Sequence, residues 1–216
     1  MLTRRRVALG LPVLAVAAVA AAYGVFALLA GGGAPPLRLE LRGGGVPADG
    51  SWRLVVGPSV VGYRVRERLT YLPAPHDAVG RTSRVAGTLT LSGGEVRALE
   101  VRANLATLES DSSERDAVLL HEGPQFARFP RAAFVLAHPV RLVQGTATAT
   151  GELTLHGVGR SVEVPFGYRA TRTRLELVGR ITIRFADFGF GPPRRPIVRI
   201  GGSGTIEFRL RFRHAA

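Results

Sequence analysis

A period of two in apolar character constrains this chain more than any other feature. Near the C-terminus Ile206, Phe208, Leu210 and Phe212 alternate with Glu207, Arg209, Arg211 and Arg213. An extended backbone then puts the apolar side chains on one face and the charges on the other. The same alternation runs through residues 85–91, 99–105 and 180–185, and residues 147–155 and 162–166 fit it as well. Turn signals separate these runs. Ser92-Gly93-Gly94-Glu95 reads as a short hairpin loop, and His156-Gly157-Val158-Gly159 closes another. Many antiparallel strands with short turns and one polar face each describe an all-β barrel or a two-sheet sandwich.

One stretch breaks the pattern. Ser112 and Ser113 offer N-cap oxygens, Glu114 and Asp116 place acids in a first turn, and the run ends before Gly123-Pro124. Residues 112–121 therefore read as a short helix. The segment Gln125-Phe126-Ala127-Arg128-Phe129-Pro130 follows it. Between two strands, helix and segment form a crossover or a lid, and a barrel mouth is where barrels take ligands.

Ahead of the barrel, Arg4, Arg5 and Arg6 precede 24 residues, 7–30, that carry no charge. As a helix the run would be roughly 36 Å long, enough to span a hydrocarbon core of about 30 Å with some tilt. Arginines before it and none immediately after place the N-terminus inside and the rest of the chain outside the cytoplasm. Ala20-Ala21-Ala22 offers a small-residue cleavage site, which fits a secretory signal peptide. The apolar run continuing from Tyr23 to Ala30 fits a retained transmembrane anchor. Thr3-Arg4-Arg5-Arg6-Val7 is a weak match to a twin-arginine signal. The organisation expected is an anchor or signal peptide over 1–30, a Gly/Pro-rich linker over 31–50, and one extracytoplasmic domain over 51–216. Inside the linker, Leu37-Arg38-Leu39-Glu40-Leu41-Arg42 alternates and could add one edge strand.

Composition removes whole classes of chemistry. All 29 basic residues are Arg, against 16 acids, for a net charge of +13, and there is no Cys. Without Lys there is no Walker-A phosphate binding, Schiff-base chemistry or kinase-type strand lysine. Without Cys there are no disulfides, thiolate nucleophiles or Cys-ligated metals. His76, His121, His138, His156 and His214 never fall two or four apart, so no local metal-ligand pair is encoded. Ser203, in Gly201-Gly202-Ser203-Gly204-Thr205, lacks the second Gly of a nucleophile elbow. Asp187-Phe188-Gly189 shares only its letters with the kinase metal-binding triplet. No catalytic set and no metal site assembles.

The charge is uneven. Residues 51–159 hold 12 Arg and 10 acids, whereas residues 160–216 hold 12 Arg and 4 acids. Arg194, Arg195, Arg199, Arg209, Arg211 and Arg213 concentrate the excess. Anionic lipid head groups fit such a surface, at about 1 kcal/mol per basic residue. Nucleic acid fits poorly, because few aromatics are available for stacking and the chain carries an export segment.

Four blocks stand in order along the body. The first is Thr107-Leu108-Glu109-Ser110 followed by Arg115-Asp116-Ala117-Val118-Leu119. The second runs from Phe126-Ala127-Arg128-Phe129-Pro130 to Phe134. The third, the most specific, is Thr150-Gly151-Glu152-Leu153-Thr154-Leu155-His156-Gly157-Val158-Gly159-Arg160-Ser161-Val162, and the fourth is Ala186-Asp187-Phe188-Gly189-Phe190-Gly191. From about Trp52 to Phe212 the chain resembles the YceI-like polyisoprenoid-binding family of secreted bacterial proteins. The resemblance implies an extended lipocalin-like, eight-stranded antiparallel β-barrel around a long apolar tunnel for an isoprenoid chain. It also implies that Arg115, Asp116, Gly151, His156, Gly157, Asp187 and Gly189 are structural motif residues. Three positions depart from the family pattern. Members commonly carry a His in the second strand, where Tyr63-Arg64-Val65-Arg66-Glu67-Arg68 stands here. The aromatic after Gly87 is Thr88, and an acidic residue near Gly202 is missing.

With the apolar faces inward, the expected tunnel lining is Leu89, Leu91, Val101, Leu105, Phe134, Leu136, Leu153, Leu155, Val164, Phe166, Ile183 and Phe185. Phe126 and Phe188, on connecting segments, would guard its ends. An eight-stranded barrel is either filled by its own side chains or holds one ligand. Burying one isoprene unit contributes very roughly 3–4 kcal/mol before ordering costs, so a long chain needs few polar contacts. Two functions are expected on this basis. One is a non-enzymatic, membrane-tethered carrier or reservoir for an isoprenoid or similar apolar lipid, with no cofactor beyond that lipid. The other is a structural or stress-response module with a packed interior, acting through its Arg-rich surface.

Overall fold

The alternating segments pair edge to edge into one antiparallel sheet. The computed structural model describes residues 33–42, 44–70 and 74–215. The apolar run 7–30, with both its anchor and its signal-peptide reading, lies outside them. No helix among the described residues is long and apolar enough to cross a membrane. The strands are β1 (Gly50–Leu54), β2 (Val60–Leu69), β3 (His76–Thr82), β4 (Val85–Ser92), β5 (Glu95–Asn104), β6 (Arg131–Leu136), β7 (Val140–Arg141), β8 (Thr146–Leu155), β9 (Val158–Ala170), β10 (Arg174–Arg184), β11 (Val198–Ile200) and β12 (Ser203–His214).

The sheet closes on itself. From β4 the order runs β5, β6, β8, β9, β10 and β12. The end of β12 pairs with β1, which pairs in turn with β4. Residues 205–209 of β12 pair instead with β2, and β2 pairs with β3. β2 and β3 thus extend the walls that β1 and β4 form at the other end, giving a closed eight-stranded antiparallel barrel. The register carries the alternation around the ring. Leu175 and Leu177 stand opposite Phe212 and Leu210, and Glu176 stands opposite Arg211 on the outer face. Gly93 and Gly94, both at positive φ, make a two-residue hairpin between β4 and β5.

The interior has two different ends. At the first, Trp52 is fully buried among Leu89, Leu91, Val96, Leu175 and Phe212. Its indole N–H donates to the Ala48 carbonyl at 3.1 Å, and its ring meets the His214 ring edge-on at 5.1 Å. A satisfied indole inside a close-packed cluster makes this end a plug. At the second end, Leu105, Leu153, Leu155, Ile183, Phe185 and Phe188 form another cluster. The helix α1 (Ser113–His121) lies at this end. Ser112 caps it, its side chain accepting from the Arg115 N–H at 3.2 Å.

Residues 34–42 and 44–48, part of the expected linker, form a strap that adds no strand and lies against the barrel's outer wall. Leu37, Leu39 and Leu41 are half-buried, while Arg38, Glu40 and Arg42 face solvent. The Arg64 guanidinium donates to the Ala34 carbonyl at 2.7 Å, and that of Arg81 to the Pro35 carbonyl. The Glu40 and Leu41 N–H groups donate to Glu176 Oε2 at 2.8 and 2.6 Å. Arg211 joins the clasp, its Nε donating to Glu176 at 2.8 Å and its Nη2 to Glu40 at 2.6 Å, and Arg209 also pairs with Glu40. The strap explains a buried charge on an outward face: Glu176 points away from the tunnel yet is only 1% exposed, because the strap covers it.

The clasp has a pH sign. The hydrogen bond from Arg211 comes first among the causes that hold the Glu40 carboxyl below its ordinary value of 4.5. A carboxyl depressed on folding stabilises the folded form fully above its unfolded pKa, and loses that contribution as pH falls through the lowered value. Amide exchange should therefore find the Glu40 and Leu41 N–H groups protected at neutral pH, with protection lost in Glu40→Gln. The parent protein should show that loss only below the ordinary carboxylate range; loss at pH 6 would contradict the clasp.

Candidate functional site: an apolar tunnel with a charged rim

Between the plug and α1 the barrel encloses a cavity of about 630 Å³, within the span of small-molecule pockets. Its wall is almost entirely carbon. Of the residues expected from the alternation, Val101, Leu105, Phe134, Leu153, Leu155, Val164, Phe166, Ile183 and Phe185 line it, and so does Phe126 from the segment after α1. Four do not. Leu89 and Leu91 point inward but belong to the plug around Trp52, and Leu136 packs against the same cluster. Phe188 is 2% exposed inside the second cluster and guards no opening. Strand alternation says which way a side chain points; it does not say whether the space it enters is filled.

Other lining residues were absent from that set. Val61, Tyr63, Val65 and Glu67 of β2, Leu99 and Ala103 of β5, and Ile206, Phe208 and Leu210 of β12 all face the cavity. The signal existed for most of them: β12 alternates throughout, and Arg64, Arg66 and Arg68 mark the outward positions of β2. Gly151 serves the wall in a different way. A Cβ there would sit 2.5 Å from Cζ of Phe134, so only Gly lets that ring lie across β8.

The cavity opens beside α1. Exposed Glu114, Arg195, Pro196 and Ile197 are part of its lining, with Ile197 53% exposed. Arg195 donates to Glu122 at 2.7 Å, tying the loop before β11 to the end of α1. His156 and Gly157, both at positive φ, turn β8 into β9 at this end. The His156 ring lies 3.8 Å from that of Phe129 and 5.5 Å from that of Phe190, and Phe190 stacks on Phe185 at 5.3 Å. The imidazole thus acts as part of an aromatic rim. Gly189, at φ 73°, closes the 3-10 turn that contains Phe185, exposed Asp187 and Phe188.

A polar cluster interrupts the carbon wall near the mouth. Asp116 accepts from the N–H and hydroxyl of Ser110 at 2.9 and 2.7 Å, fixing the turn into α1. Arg115 reaches the other way, donating to Ser110 Oγ at 3.1 Å and to Glu67 on β2 at 3.3 Å. Burial works against the Arg115 charge, but the Glu67 and Asp111 carboxylates outweigh it and hold the guanidinium above its ordinary value. Burial also pushes the Tyr63 hydroxyl up, against the opposing charge of Arg115.

The six arginines of the expected anionic-surface patch do not form one surface. Arg194, Arg195 and Arg199 are exposed near the mouth. Arg209 and Arg211 lie on the outer wall, held by Glu40 and Glu176 beneath the strap, so their charge is already neutralised. Arg213 is exposed at the plugged end, in a cross-strand row with Arg53 and Arg174. Counting charge along β12 could not reveal this, because the compensating acids come from residue 40 and from β10.

Comparison with known proteins agrees with this geometry. Among solved structures, the Burkholderia cenocepacia protein BcnA superposes with a TM-score of 0.59 at 16% identity, covering 73% of this chain and 98% of that one. A polyisoprenoid binding domain from Saccharophagus degradans, described as implicated in plant cell wall breakdown, gives 0.56 at 15% identity, covering 76% and 98%. The Campylobacter jejuni YCEI protein gives 0.54 at 14% identity, covering 61% and 82%. These likenesses concern the fold. No curated protein matches by sequence. The model of the YceI-like domain matches residues 52–212, from the Trp of the plug to the last inward Phe of β12, and this chain belongs to that family.

Proposed function

We propose that this protein is an extracytoplasmic, membrane-tethered binding protein that holds a long-chain isoprenoid or similar apolar lipid in its tunnel. It acts as a carrier or reservoir and not as an enzyme. One observation carries the reading: a carbon-walled cavity of about 630 Å³ that ends at a packed plug and opens at a rim. Such a space suits a flexible apolar chain, whose burial is driven by area and needs little polar recognition. The Saccharophagus degradans relative, whose printed description is a polyisoprenoid binding domain, supports the same ligand class. The packed-barrel alternative needs a filled interior and loses ground to the cavity.

The mouth also favours docking to a lipid surface. Ile197 and Pro196 are exposed beside Arg194 and Arg199. Arginines able to meet anionic head groups therefore flank an apolar tip, with about 1 kcal/mol from each charge near such a surface. In this reading the tunnel entrance faces the membrane from which a lipid is drawn.

Native mass spectrometry of the domain purified from a homologous host should show a prenyl-type lipid bound; apo mass alone would count heavily against the carrier. Leu153→Arg and Phe166→Arg each put a charge into the tunnel and should abolish lipid uptake while circular dichroism shows the barrel intact. Sedimentation with vesicles should increase with acidic lipid content, fall with salt, and weaken in the double variant Arg194→Gln/Arg199→Gln. Binding indifferent to all three would remove the docking surface.

A further inference from the structure

Two carboxylates belong to the described lining of the tunnel. Glu114 is exposed at the rim, whereas Glu67 is 5% exposed on the inner face of β2. The pairing of Leu69 with Val198 and of Glu67 with Ile200 puts Glu67 one inward position below the mouth. Its two contacts fall on the same atom: Arg115 Nη2 and His76 Nε2 approach Oε2 at 3.3 and 3.4 Å. Among the described residues Oε1 has no partner. Two neighbouring polar atoms, the Tyr63 hydroxyl and His76 Nδ1, are buried without hydrogen bonds. Deeper in, Val65, Val101, Ile206 and Phe208 offer only carbon.

We propose that Glu67 Oε1 recognises the polar end of the tunnel's ligand, and that this ligand is a lipid ending in a neutral hydrogen-bond donor, an alcohol. The inference rests on the lipid-binding reading above and adds the head group. A hydroxyl donates a charge-assisted hydrogen bond to a carboxylate oxygen, stronger than a neutral one and strengthened by the low-dielectric wall. A phosphate or carboxylate end would bring a second anion against Glu67, with Arg115 already engaged there. An end group without a donor would cover Oε1 and leave it stripped of water and unpaired, the costly outcome for a buried polar group. A site built to hydrogen-bond a hydroxyl rejects the analogue lacking it far more strongly than an apolar pocket rejects one methylene. The alcohol sits under α1, and the chain runs inward to the Trp52 plug.

The test uses the delipidated protein and three probes of one chain length: geranylgeraniol, its methyl ether and geranylgeranyl monophosphate. The alcohol should bind about tenfold or more tightly than either of the others. Glu67→Gln keeps an acceptor oxygen but removes the charge, so the advantage over the monophosphate should collapse. Equal affinities for alcohol and ether, or a monophosphate that binds more tightly than the alcohol, overturn the assignment and leave the lipid-binding function standing. So does discrimination unchanged in Glu67→Gln. Binding of none of the three brings down both readings. The comparison of probes on the parent protein decides even where the variant fails to fold.

Discussion

The pairing of β12 with both β1 and β2 is the contact on which the rest of the molecule depends, because it turns a sheet with two edges into a closed wall. Closure gives the backbone groups of the ring their partners and removes the edges that would otherwise template aggregation. It also makes direction consequential. Once the wall is closed, each alternate side chain points either into a confined interior or out to solvent. The split of the second wall into β1 and β2 lets one strand, β12, serve both ends. Its last residues hold the Trp52 plug, and Ile206 and Phe208, in the stretch that pairs with β2, face the tunnel.

The interior is filled unequally, and its function lies in that inequality. Around Trp52 large side chains from β1, β4, β10 and β12 interdigitate with no room for a ligand. Towards α1 the same kind of residues leave space between them, so Leu153, Phe166 and Ile183 lack neighbours on one side. Those side chains forgo packing that a filled core would give them, a loss that an apolar guest restores. The polar exceptions, Glu67 and Arg115, sit near the mouth, where a ligand's polar end would lie once its chain is buried.

Charge in this molecule is organised by coverage. The outer face of β10 and β12 carries Glu176 and Glu207, 1% and 4% exposed. Arg64 and Arg81 satisfy Glu207, and Arg211 with two strap amides satisfies Glu176. Breaking one member of such a network strands the others in a buried setting, which makes the network a determinant of where the strap lies. The large positive excess of the C-terminal strands is accordingly smaller in effect than in arithmetic, because Arg209 and Arg211 are already paired with Glu40 and Glu176.

Much of this was legible from residue order. Alternation set the strand faces, Gly93-Gly94 and His156-Gly157 marked the hairpins, and Ser112 with its acidic first turn announced α1. These are local properties, settled by backbone geometry within a few residues. Some missed lining residues, such as Ile206 and Phe208, carried the same local signal. The other missed features are distant pairings: Leu89 and Leu91 in the plug, Glu40 over Glu176, and Glu67 against Arg115 from another element. The sequence by itself determined antiparallel strands with one apolar face each, in a barrel or a two-sheet sandwich, since period two gives an extended chain one face with which to bury its carbon. The closed barrel was implied only by the family resemblance. Only the tertiary structure decided which stretch of the apolar lining is packed solid, which stays open and which charges remain free, because each depends on volumes and partners brought together from remote parts of the chain.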